Sequence, residues 1–432
     1  MKPLFAISSP FDTYSGYGAR ARDVIKAIIE TDKYNVKLLS QRWGNLPFGF
    51  CKDNPEWEFL LDHVLPNNKL IQQPDIWAQI SVPNEFQAVG KYNIGFTAGM
   101  ETTLVDGSWV EGMNRMDINF VSSEHSKFSF TNSVFEKRDN QGNTLGKVKV
   151  EKPIEVLFEG VDLKTYFPTK PNPNLDISLS LDSVKEPFAY LFVGHWMQGK
   201  MGEDRKNVGL LVKAFLETFK NKSKKPALIL KTSQAGASYM DRDEILKKIQ
   251  TIKDSVNSKN LPNIYLLHGE FTNEEMNSIY NHSKVKAMVS LTKGEGFGRP
   301  LLEFSLVKKP LIVSGWSGHI DFLKPDFTVM IGGELKKVDP TAVVPNMILP
   351  EAQWFAPDHS QIGHALKDVY ENYKNYTDGA KRQAHYSKTN FSWDKMKKYL
   401  ESRLDELIPE FPKQIELKLP KLNLPKLEKN EG

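Results

Sequence analysis

Short apolar runs that alternate with helix-length segments, through both halves of the chain, constrain this sequence more than any other feature. In the first half the runs fall at residues 4–8, 35–39, 76–82, 92–97, 118–121 and 154–158. In the second half they fall at 189–193, 227–231, 264–267, 285–291 and 311–313. Helical spacing of apolar residues marks 19–29, 208–219, 244–252, 273–280 and 300–306. Alternation of short β-like runs with helix-length segments favours parallel sheets covered by helices. A chain of 432 residues exceeds what one core fills, so two consecutive doubly wound, Rossmann-like α/β domains are expected.

Turn-rich residues 139–143 and the three prolines in 168–173 place a boundary between the halves. The expected organisation is an N-terminal domain over 1–165 and a C-terminal domain over 166–390. A closing helix over 391–408 packs back on the first domain, and an extended tail covers 409–432. The terminal amphipathic helices are expected over 361–373 and, within the closing segment, over 394–407. In the tail, Leu419-Pro420-Lys421-Leu422 and Leu424-Pro425-Lys426-Leu427 repeat one tetrapeptide that proline keeps out of regular helix. The tail is read as extended and poorly ordered, with docking on a partner as the alternative.

Lys and Arg number 57 against 53 Asp and Glu, a net of +4 with no clustered basic stretch of the kind nucleic acid selects. The single cysteine, Cys51, forms no internal disulfide and fits a reducing compartment. The opening apolar run is shorter than a secretory signal, and no run reaches the ~18 apolar residues of a membrane helix. A soluble, cytoplasmic protein is expected, with attachment to a membrane surface as the alternative.

The sharpest local signal is Gly294-Glu295-Gly296-Phe297-Gly298-Arg299-Pro300-Leu301-Leu302-Glu303. It follows the apolar run 285–291, and Pro300 suits the first turn of a helix, where its missing N–H is no loss. The segment is therefore a strand-loop-helix turn at the carboxyl edge of a sheet, where doubly wound folds bind ligands. Glycines at 294, 296 and 298 let backbone amides approach a bound group, and the helix start favours anions. Glu303 lies in the first turns of that helix, where the macrodipole favours its ionised form. An ionised carboxylate accepts from two vicinal hydroxyls, such as those of ribose, at roughly 1.5 to 3 kcal/mol per bond.

Two glutamates eight positions apart around Gly-Phe-Gly resemble the E-x7-E signature of the retaining GT-B glycosyltransferases, specifically their group 1 (GT4-type) family. Further segments are similar to that family: Phe192-Val193-Gly194, Arg205-Lys206-Asn207, Glu159-Gly160-Val161-Asp162 and Phe391-Ser392-Trp393. The resemblance implies a GT-B fold in which two Rossmann-like domains face each other across a cleft. It implies that Arg205 and Lys206 contact a donor diphosphate, that Glu303 holds the ribose, and that Glu295 lies beside the transferred sugar. By the same carry-over, Gly296 and the amides of Phe297 and Gly298 meet sugar hydroxyls. Gly16 and Gly18 approach the diphosphate from across the cleft, and Gly269 and Phe271 flank the nucleobase. Lys231 and His319, each at a strand's carboxyl edge, are further donor-binding candidates.

The chain departs from the family pattern at His195, where an arginine is common, and at Phe96-Thr97-Ala98-Gly99-Met100-Glu101, which lacks a histidine and offers Glu101 as a polar group.

The expected activity is metal-independent, retaining transfer of a hexose-type sugar from a nucleotide-diphosphate donor such as a UDP- or GDP-sugar, with no cofactor. A GT-B epimerase, a phosphorylase and a non-catalytic nucleotide-sugar binder are the alternatives. No motif in the first half specifies an acceptor, so glycan, lipid-linked sugar, small molecule, protein and modified nucleic acid all stay open. Asp241-Arg242-Asp243 has the D-x-D form that binds metal in the other major glycosyltransferase fold, but here it reads as acidic decoration of a helix start. The nine histidines show no metal-ligand spacing, and no metal is expected.

Overall fold

A computed structural model describes residues 2–139, 141–234 and 238–411; the repeated tetrapeptides of the tail lie outside them. The first half contains strands β1 (Leu4–Ser9), β2 (Asn35–Ser40), β3 (Ile76–Ile80), β4 (Tyr92–Phe96), β5 (Ile118–Val121), β6 (Phe135–Arg138), β7 (Thr144–Val148) and β8 (Ile154–Val156). The second half contains β9 (Ala189–Val193), β10 (Ala227–Lys231), β11 (Ile264–Leu267), β12 (Val285–Ser290), β13 (Leu311–Ser314), β14 (Val329–Ile331), β15 (Gly333–Lys337) and β16 (Gln353–Pro357). One six-stranded sheet has the order β2-β1-β3-β4-β5-β8 and the other β11-β10-β9-β12-β13-β14. Every neighbouring pair in both sheets is parallel.

The second order is that of a Rossmann sheet, and it reverses between β9 and β12. The loops after β9 and β12 therefore diverge around a crevice at the carboxyl edge. Alternation along the strands explains why they are apolar throughout. Tyr190, Phe192, Leu228 and Leu230 point into one core, whereas Ala189, Leu191, Ala227 and Ile229 point into another on the opposite face.

The chain returns to the first sheet at its end. Val161 N–H donates to Phe391 O at 2.9 Å, and Trp393 N–H donates to Val161 O at 2.9 Å. Gly160 permits this crossing, since a Cβ there would lie 2.5 Å from Trp393 Cα. The helix Trp393–Leu407 then places Met396, Leu400 and Leu404 in one core with Phe5, Ile7 and Val24. Among the described residues, no helix is long and apolar enough to cross a membrane.

The structure departs from the sequence reading in its C-terminal helices and in its smaller sheets. The helix expected over 361–373 runs His359–Glu371, and a second one, Tyr373–Asn390, follows it. Two antiparallel hairpins, β6–β7 and β15–β16, are additional. The second is tied to the opposite half: Thr103 N–H donates to Gln353 O, and Gln353 N–H donates to Thr103 Oγ1, both at 2.9 Å.

Candidate functional site

The loop after β9 carries Arg205 and Lys206, and the loop after β12 carries Glu295, so the point where the strand order reverses brings the three together. Lys206 Nζ pairs with Glu295 Oε1, and its stem lies over Gly194, whose added Cβ would sit 3.6 Å from the Lys206 Cδ. Arg205 Nη1 lies 3.7 Å from Glu295 Oε2 and 3.2 Å from Oε1 of Glu101, which belongs to the first half. It also donates to Gly294 O at 3.2 Å. Burial pushes the Glu295 carboxyl up, but Lys206 and Arg205 outweigh it and hold the group below its ordinary range. Glu295 N–H donates to Ser317 Oγ at 2.9 Å, which fixes the loop on the turn after β13.

Glu303 lies on the helix Arg299–Ser305 within a second charged group. Tyr280 donates to its Oε2 at 3.0 Å, and Arg299 Nε lies 3.5 Å from its Oε1. Arg299 also reaches Asp23 at 2.7 Å and Glu159 at 3.6 Å, joining the two halves through charge. Glu303 is nearly fully buried, and burial raises its pKa to about 7 despite Arg299 and Tyr280. This corrects the expectation from the helix dipole. A dipole contributes roughly 0.3 to 1 kcal/mol, whereas the rise from 4.5 to about 7 corresponds to about 3 kcal/mol.

Lys231, at the end of β10, connects the two groups. Burial pushes the Lys231 ammonium below its ordinary range although Glu270 and Glu303 oppose the shift, and Lys231 lowers the pKa of His195 together with Lys206 and Arg205. Burial and these three cations take His195 down to about 4, so its imidazole is neutral at physiological pH. His195 Nδ1 lies 3.2 Å from Ser233 Oγ. Lys231 Nζ stands 5.6 Å from the centre of the Phe271 ring, and Gly269 just before it has φ +133 with open space at its Cβ position.

The glycines of the loop also carry a structural role. A Cβ on Gly294 would lie 1.8 Å from Glu101 O, and one on Gly296 would lie 2.5 Å from Ala98 O. Both glycines therefore admit the backbone of the first half. The hydroxyls of Ser122, Ser123 and Ser126 converge on Gly296 O at 2.5 to 3.3 Å. Gly298, at φ +98, does take the left-handed turn into the helix, and Phe297 sends its ring into the core against Phe322. Across the cleft, Gly16 has nothing within 4 Å of its Cβ position, whereas a Cβ added at Gly18 would lie 2.5 Å from Thr13 O, so that glycine shapes its own loop. His319 is wholly buried below the turn and lies 2.6 Å from Ser314 O through Nε2.

Asp241 and Asp243 lie on the helix Tyr239–Asp254, with Asp241 in its first turn, accepting from Gln234 N–H and lying 2.7 Å from His268 Nε2. Among the described residues, no group of three or more His, Cys, Asp and Glu side chains is arranged to hold a metal.

Sequence reasoning did not assign Asp23, Glu159, Tyr280 or Arg299. A signal existed for one of them: Arg299 opens a helix whose dipole repels it unless acids lie near.

Glu303 yields a pH test. Its native pKa lies above the unfolded value, so its stabilising contribution is complete below pH 4.5 and fades as pH rises through about 7. Glu303→Gln removes that fade. Between pH 4 and 8 the wild type is expected to lose about 3 kcal/mol relative to the variant. Urea unfolding at a series of pH values measures this, and a pH-independent difference would mean the native carboxyl keeps its ordinary pKa.

No protein-family model matches the chain, and no curated protein matches it in sequence. Solved structures do match. Anabaena HepE in complex with UDP and glucose gives a TM-score of 0.59 at 12% identity, over 93% of this chain and 99% of its own. Sucrose-phosphate synthase from Thermosynechococcus elongatus gives 0.61 at 12% identity, over 94% and 99%. A glycosyltransferase from Rickettsia africae gives 0.59 at 14% identity, over 94% and 99%. The fold is GT-B. In a GT-B molecule the carboxyl edges of both sheets border one cleft, and Glu101 meets Arg205 across it.

Proposed function

We propose that this chain is a glycosyltransferase of the GT-B type that takes a hexose from a nucleotide-diphosphate sugar and retains its anomeric configuration. The observation that carries the reading is the buried cluster of Arg205 and Lys206 on Glu295, at the reversal of the second sheet. Departure of a nucleoside diphosphate develops negative charge, and two fixed cations in a site of low dielectric stabilise it. Their present partners, Glu295 and Glu101, hold the charges in place until a diphosphate takes them over.

In this reading Glu303 accepts from the ribose hydroxyls, Lys231 and Phe271 border the nucleoside, and Glu295 faces the sugar. The leaving phosphate takes the acceptor's proton in a front-face attack, so no separate base is required. Two structural neighbours support the donor class: HepE is also found in complex with UDP-glucose, and an E. coli trehalose-6-phosphate protein with UDP-2-fluoro glucose.

Screening a panel of nucleotide sugars by thermal shift and by slow donor hydrolysis tests the proposal. Glu303→Ala is expected to weaken donor binding by roughly tenfold or more, the effect of losing charge-assisted hydrogen bonds. Arg299 keeps Asp23 and Glu159 in that variant, so the fold is expected to hold. Unchanged donor affinity in a folded variant would remove Glu303 from the site.

A further inference from the structure

A cavity of about 400 Å³ is walled by the segment 163–168, by Leu306 and Lys308 at the end of the helix Arg299–Ser305, and by the helix Tyr373–Asn390. Lys308, Lys381, His385 and Lys388 line it, and no carboxylate does. Positions 381, 385 and 388 are spaced i, i+4 and i+7, so they share one face of their helix. All four side chains belong to exposed residues, and none has a hydrogen-bond or ion-pair partner among the described residues. The acid closest to them in sequence, Asp378, is taken by Arg382 at 2.9 Å.

Ordinary helix and turn chemistry does not explain this gathering. The helix dipole favours Lys388 in the last turn, but it has faded at Lys381, two turns earlier. Lys308 has φ +61, a conformation that favours glycine, so the turn itself does not ask for a lysine. Like charges with no acid among them repel one another, and an anion between them removes that cost. Beside the lysines the wall is apolar and open: Leu163 is half-buried, and Phe167 and Pro168 are exposed.

We infer that this cavity binds a small phosphate monoester with an apolar body, its phosphate facing Lys308, Lys381 and Lys388 and its body lying on Leu163, Phe167 and Pro168. A monoester carries three strong acceptor oxygens and about 1.5 to 2 negative charges at neutral pH, which provides one oxygen for each ammonium. A carboxylate offers two oxygens and a single charge. The volume lies within the range of small-molecule pockets. The site stands apart from the Arg205–Lys206–Glu295 cluster, yet its Tyr166 ring lies 6.0 Å from that of Tyr280, which donates to Glu303. A binding measurement therefore has to separate this cavity from the cleft.

Calorimetric titration of phenyl phosphate and of inorganic phosphate into the full chain does so. Phenyl phosphate is expected to bind about tenfold or more tightly than phosphate, the gain from covering its ring. Lys381→Gln with Lys388→Gln, both exposed positions, is expected to weaken phenyl phosphate by about tenfold or more. Phe167→Ala is expected to reduce the advantage of the ester while leaving inorganic phosphate unchanged. Arg205→Ala is expected to leave both affinities as they were.

Binding that disappears with Arg205→Ala and survives the lysine substitutions would put the anion in the cleft and overturn the inference. Equal affinity for phosphate and phenyl phosphate, or no binding of either at millimolar concentration, would overturn it as well. So would lysine-dependent sedimentation with phosphatidic acid vesicles in a chain that does not bind phenyl phosphate, since these residues would then form a membrane-facing patch.

Discussion

Lys206→Met is expected to lower turnover of the nucleotide-sugar donor by about two to three orders of magnitude, the loss typical when one preorganised charge-stabilising group is removed. Methionine keeps most of the stem that packs over Gly194 and deletes only the charge. The same change leaves Glu295 buried with Arg205 at 3.7 Å as its remaining cation, so stability also falls, by about 3 to 5 kcal/mol for a broken buried pair. A second variant separates these effects. Lys206→Met with Glu295→Gln no longer strands a buried carboxylate and is expected to recover most of the lost stability. If Lys206 stabilises the leaving diphosphate, turnover in the double variant stays well below that of Glu295→Gln alone. Turnover equal to that of Glu295→Gln alone would mean that Lys206 serves only to neutralise Glu295.

The parts of this molecule legible in the sequence are those set by local pattern. Parallel strands buried on both faces are continuous apolar runs, and β9, β10 and β12 stand close to where those runs predict them. Pro300 after Gly298 marks the start of its helix through the chemistry of proline at a first turn. Helix Tyr373–Asn390 was not legible because it buries only Ala380, Gln383, Ala384 and Ser387, too little apolar surface to give a period. Strand β15 is exposed along its whole length and carries no alternation to read.

Within the site, the residue types near the second sheet's carboxyl edge were legible, but their ionisation was not. Burial of Glu303 overrides the local dipole, and burial is a property of the assembled fold. The bridge from Arg299 to Asp23 and Glu159 joins residues far apart in sequence, so no spacing encodes it.

Gly294→Ala is expected to open the seam between the two halves and to abolish most activity. The added Cβ would stand 1.8 Å from Glu101 O, a backbone atom that no side-chain rotation can move. Either the segment around Ala98 and Glu101 shifts or the loop carrying Glu295 does. In both cases Arg205 loses its 3.2 Å contact with Glu101. Overpacking of this kind costs roughly 1 to 3 kcal/mol where the fold absorbs it. Separating the halves relieves it at the expense of the serine contacts on Gly296 O. The expected readout is a larger radius of gyration by small-angle scattering, together with a drop in kcat/KM of about tenfold or more, as misplacement of catalytic groups by about 1 Å produces. Gly16→Ala is the contrasting variant, since nothing lies within 4 Å of its Cβ position. It is expected to leave the scattering profile unchanged and to weaken donor binding alone. If Gly294→Ala stayed compact and active, the glycines of this loop would not be required by the seam between the domains.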